Sequence, residues 1–91
     1  MSGILNHDPI PYGASAAMVN GALEGFVVAA AIELPNALRL NLVSPTVLTE
    51  SMPEYGDYFP GFMPVSAAEV AQAYRKSVEG KQSGQVYRVG Y

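Results

Sequence analysis

Between Gly13 and Leu34 the chain is almost continuously apolar or small, with Glu24 and Glu33 its only charges and no proline until Pro35. Isolated glycines apart, nothing in this stretch breaks a helix, so it predicts a helix over residues 13–34, roughly 30 Å long at about 1.5 Å per residue. Gly13, Ala17, Gly21, Gly25 and Ala29 recur every four residues, a stripe along which another backbone can approach closely. Ala14, Met18, Ala22, Phe26 and Ala30 run beside it. A helix apolar nearly all round is normally buried on more than one side, so it is expected to meet both a sheet and a second helix.

A Pro35-Asn36 turn ends this segment, and Leu38-Arg39-Leu40-Asn41-Leu42-Val43 then alternates before turning continuously apolar, which predicts a mostly buried strand over 38–44. Residues 46–64 have no sustained period but gather Met52, Tyr55, Tyr58, Phe59, Phe62 and Met63 among prolines and glycines. Such a long loop is usually a lid or binding loop, or else one that its aromatics pin to the surface. Ser66-Ala67-Ala68-Glu69 is a capping box opening a helix over 66–80, with Ala67, Val70, Ala71, Tyr74 and Val78 on one face and Gly80 at the end. A Ser83-Gly84 turn leads to a strand over 85–91. Residues 1–12, carrying Asn6, Asp8, Pro9 and Pro11, read as a loop. Helix, strand, helix, strand in that order predicts an α/β fold with a parallel sheet covered by helices.

Composition narrows the partners. Ninety-one residues allow one domain, and a chain this short buries only about 60–65% of its unfolded surface, so a partner or a further segment is expected. With five Lys or Arg and a net charge of −3 there is no basic stripe for a phosphate backbone, and nucleic acid is not an expected partner. The absence of Cys excludes disulfides and thiolate metal sites, and no basic start precedes an apolar signal core, which fits a cytoplasmic protein. Gly21-xxx-Gly25 also suits a transmembrane helix pair. Against that, Glu24 would cost about 2.5–3.5 kcal/mol near the bilayer centre, and no Lys or Arg flanks the helix, so a membrane is not expected either.

The order and spacing of Ser2-Gly3, Ala22-Leu23-Glu24-Gly25-Phe26, Ala31-Ile32-Glu33-Leu34, Arg39-Leu40-Asn41-Leu42-Val43-Ser44-Pro45 and Ser83-Gly84-Gln85-Val86 carry a resemblance. Together they resemble the C-terminal portion of a short-chain dehydrogenase/reductase, a family of NAD(P)-dependent enzymes. The resemblance implies the C-terminal part of a doubly wound, Rossmann-like parallel sheet. It puts Ser2 at the family's active-site serine, a donor aimed at the reacting carbonyl. The family's Tyr-xxx-Lys pair, counted without a gap from Glu24-Gly25, falls on Ala16 and Asn20. Asn20 keeps the capacity to bond a ribose hydroxyl but has no charge to stabilise a tyrosinate. Tyr12-Gly13-Ala14-Ser15 reads locally like the start of that motif, so Tyr12 is either a displaced catalytic tyrosine or a loop tyrosine packed near the helix start.

The resemblance further implies NAD or NADP contacts from Pro45, Thr46, Val47, Leu48 and Thr49, mostly through backbone groups. It implies a small carbonyl or alcohol substrate under the 46–64 loop and a homo-oligomer built through the long helix. No glycine-rich strand-turn-helix is present to hold the adenosine and pyrophosphate, so the 91 residues alone are not expected to turn over substrate. The alternative is a non-catalytic relative serving as an oligomerisation or binding module. His7 reads as a lone surface histidine, and Glu24 and Glu33 as solvated or capping.

Overall fold

A computed structural model describes all 91 residues. It has helix α1 (Ala14–Ala31), strand β1 (Leu42–Pro45), a short helix α2 (Met52–Tyr55), helix α3 (Ala67–Glu79) and strand β2 (Val86–Val89). Single 3-10 turns occupy Ile4–Asn6, Thr49–Ser51 and Gly56–Tyr58. The helix-strand-helix-strand order is present, but the sheet is not doubly wound: it consists of β1 and β2 alone, parallel, with Leu42 opposite Val86 and Pro45 opposite Val89. A doubly wound sheet needs several strands fed by crossover helices on both faces, and this chain supplies a single crossover, through α3.

Side-chain alternation divides the two faces of the pair. Val43 packs with Val65, Val70 and Ala73, joined by Leu48, Tyr87 and Val89, and this cluster forms the core under α3. The opposite face, with Leu42 and Ser44, lies toward α1, whose one buried residue is Val27. Where β2 ends, Gly90 adopts a φ of 89°, and a Cβ there would stand 2.6 Å from the Thr46 methyl group, so backbone conformation and close approach both require glycine.

The strand expected over 38–44 begins only at Leu42 because the polar half of its alternation is spent elsewhere. Asn36 and Ala37 turn through the left-handed region with φ of 60° and 57°. Beyond them the Arg39 guanidinium donates to the carbonyls of Ser77 and Val78 at the end of α3, satisfying acceptors a helix end leaves open. Asn41 donates to Gln82 O and Ser77 Oγ, both at 2.9 Å, and accepts from Gln85 N at 3.0 Å. These residues tie the entrance of β1 to the exit of α3.

The expected small-residue stripe of α1 does not pack on the sheet: Gly21 and Gly25 face open space and Ala29 is exposed. The helix instead turns Asn20, Leu23, Glu24, Val27 and Ala31 inward, because Glu24 finds a polar partner there in His7 while the apolar residues give no preference between faces. Residues 46–64 also carry more structure than a featureless loop. They hold two 3-10 turns, α2 and an edge-to-face Phe59–Phe62 pair, and they close where Thr49 N donates to Val65 O and Val65 N to Val47 O. At α3, Ser66 Oγ accepts from Glu69 N at 3.1 Å as the capping box requires, and the Glu50 carboxylate takes the Ala67 N–H.

Candidate functional site

Ser2 is tied to the free side of β1 by its N–H, which donates to Val43 O at 2.8 Å. The chain then passes between α1 and the end of β1: a Cβ on Gly3 would sit 3.5 Å from Asn20 Nδ2 and 3.6 Å from Pro45 O. Beside this crossing lies a cavity of about 220 Å³ walled by residues 1–5, Asn20, residues 45–48 and Phe59. It brings together Ser2, Asn20, Pro45, Thr46, Val47 and Leu48, six of the residues singled out in the sequence. The Ser2 Oγ is buried without a hydrogen-bond partner, a condition that costs about 1–3 kcal/mol unless a ligand or water supplies one.

Thr49 lies outside this cavity, and its N–H is already given to Val65 O. The Thr46 N–H is likewise committed, to Val89 O at 3.0 Å, so neither amide is free to meet a ligand. A second cleft of about 300 Å³ adjoins the first, sharing Leu5 and Phe59 with it and continuing along Ile10, Tyr12, Ala16, Tyr55 and Tyr58. Tyr12 therefore faces the aromatic cleft and not the Ser2 cavity. Its φ is 67°, and at 98% exposure it is not the packed loop tyrosine that the sequence offers as an alternative. Ala16 and Asn20, one turn apart on α1, line the two clefts in succession.

A polar cluster between α1 and the sheet escaped the sequence reading. His7 Nε2 lies 2.8 Å from Glu24 Oε1, so His7 is not an unpaired surface residue and Glu24 is not a solvated or capping one. The His7 ring meets the Tyr91 ring at 5.8 Å, the Arg88 guanidinium stands 5.7 Å from the Tyr91 ring, and the Tyr91 hydroxyl bonds the fully buried Ser44 hydroxyl. Burial works to raise the Glu24 carboxyl, but hydrogen bonds from His7 and Asn6 and the positive charges of His7 and Arg88 outweigh it, holding the group below its ordinary value. His7 and Glu24 are separated by 17 residues and Ser44 and Tyr91 by 47, so no local motif announces either pair. No group of three or more His, Asp or Glu is placed to hold a metal ion.

Tested against a nicotinamide cofactor, the cavity fits one end only. An orphan hydroxyl and a primary amide suit a carboxamide and a ribose, but no Lys or Arg lines it to meet a pyrophosphate.

No family model and no curated protein matches the chain. Among solved structures it is similar to the crystal structure of the protein lin1944 from Listeria innocua, at 53% sequence identity and a TM-score of 0.95. The match covers 97% of this chain and 44% of that one, so the chain spans less than half the length of the protein it resembles.

Proposed function

We propose that the chain is the C-terminal piece of a short-chain dehydrogenase/reductase-type oxidoreductase acting on a small carbonyl or alcohol, and that it does not turn over substrate by itself. The observation that carries this reading is the convergence of Ser2, with its unpartnered hydroxyl, Asn20 and residues 45–48 on one cavity beside an aromatic cleft.

The bound nicotinamide cofactor would supply the hydride. Within this chain, Ser2 Oγ donates to the substrate oxygen as negative charge develops there, and Asn20 bonds a ribose hydroxyl. Tyr55, Tyr58 and Phe59 cover an apolar substrate and exclude water from it. Proton transfer is the missing part, since Ala16 has no acid and Tyr12 faces the adjoining cleft. That deficit, with the uncharged Asn20, favours the second reading, a non-catalytic relative retained as an oligomerisation or binding module.

Titration of the chain with reduced nicotinamide mononucleotide and with NADH and NADPH, followed by NMR, separates the two. Saturable shifts at Ser2 and Asn20, weakened about tenfold in Asn20→Ala by loss of a ligand hydrogen bond, support the oxidoreductase reading. Absence of binding at millimolar cofactor overturns it in favour of the module.

A further inference from the structure

Three of the pieces of chain that wall the Ser2 cavity have a neighbour in the polar cluster behind it. Asn20 lies one helical turn from Glu24 on the inward face of α1, Pro45 follows Ser44, and residues 2–5 lead through the Ile4–Asn6 turn into His7. The cluster itself is continuous, from Ser44 through the Tyr91 hydroxyl to the Tyr91 ring, across to the His7 ring and on to Glu24. Arg88 covers the Tyr91 ring from β2. It therefore links the Ser2 segment, α1 and the end of β1, three of the four pieces of chain that wall the cavity, and does so without entering it.

We propose that His7 and Tyr91 are positioning residues: a clasp running Ser44–Tyr91–His7–Glu24 that holds the Ser2 segment, α1 and the end of β1 in the register that creates the cavity. The backbone tie between this segment and the sheet is Ser2 N–H to Val43 O, supported by the buried Ile4 side chain. Without the clasp, residues 1–7 lose their hold on α1, the Ser2 anchor opens more often, and Gly3 drifts from Asn20. The proposal concerns the shape of the cavity and is independent of what the cavity binds.

Amide hydrogen exchange on the whole chain tests it, with the α3 amides as an internal reference for global stability. In His7→Ala and Tyr91→Phe, exchange at Ser2 is expected to quicken about tenfold while α3 changes less than about twofold. The Asn20 side-chain amide resonances should shift in both. His7→Gln, which keeps an N–H within reach of the Glu24 carboxylate but loses the ring contact with Tyr91, should return Ser2 exchange part of the way to that of the parent chain. Unchanged exchange at Ser2 in both variants overturns the proposal. So does equal quickening at Ser2 and α3, which marks plain destabilisation, or a His7→Gln chain as fast as His7→Ala.

Discussion

Glu24 is the one acid on the inward face of α1, and its surroundings favour the ionised form. His7 hydrogen-bonds it, and the Asn6 side chain and the His7 and Arg88 charges add to that, together outweighing a burial that acts in the opposite direction. Because the folded carboxyl lies below its ordinary value of 4.5, its contribution to stability is fully present above that pH and is lost as pH falls through the lower folded value. Glu24→Gln removes the charge and keeps the shape. It should therefore cost about 1 kcal/mol in urea unfolding at neutral pH, the worth of a charge-assisted hydrogen bond at a partly exposed site. The difference between the two chains should narrow as the pH drops below 4.5. A gap that stays constant through the acid range would assign the loss to packing instead of ionisation.

At the scale of elements, the ends of the helices and strands show where local sequence suffices. Ser66 and Glu69 are three residues apart, so the start of α3 was legible directly: the cap is a contact between neighbours. Arg39 and Asn41 read as the polar half of a strand, yet their partners lie 36 to 44 residues further on, and no pattern within residues 38–44 reveals that. The same holds for α1, where an almost uniformly apolar surface gave no contrast from which to choose the inward face. Ser2, Asn20 and residues 45–48, which line one cavity, are singled out only by the family resemblance, whereas the His7 and Tyr91 contacts, made across the fold, have no signal in the sequence. Arg39 gives this a measurable consequence. Its guanidinium holds the last carbonyls of α3 against the entrance of β1, so Arg39→Ala should lower stability by about 1 kcal/mol, discounted for its exposure. Because the cap at Ser66 is untouched, amide exchange should quicken at the Ser77–Gly80 end of α3 and not at Ala67–Val70.

At the scale of the whole molecule, the balance of buried and exposed surface is unusual. Only 12 of 91 residues are buried, while Met18, Val19, Phe26 and Val28 on α1 are each more than half exposed. With Gly21, Ala22 and Gly25 between them, they make a contiguous apolar face on the helix side turned away from the sheet. By length and composition α1 also meets the requirement for a membrane span. Its central Glu24, however, is engaged with His7 and held in the ionised form, an arrangement hydrocarbon would oppose. A patch of this kind on a water-exposed helix favours protein association, and the glycines would let a second helix approach closely. Self-association through α1 is the expected consequence, with Phe26 as its largest anchor at 63% exposure. Phe26→Glu places a charge in that contact without disturbing the inward residues Asn20, Glu24 and Val27. Sedimentation velocity over a range of concentrations should show the parent chain associating and the Phe26→Glu chain monomeric, with the same helical circular dichroism in both. Identical sedimentation of the two chains would remove α1 as the contact and leave its apolar face without an associating role.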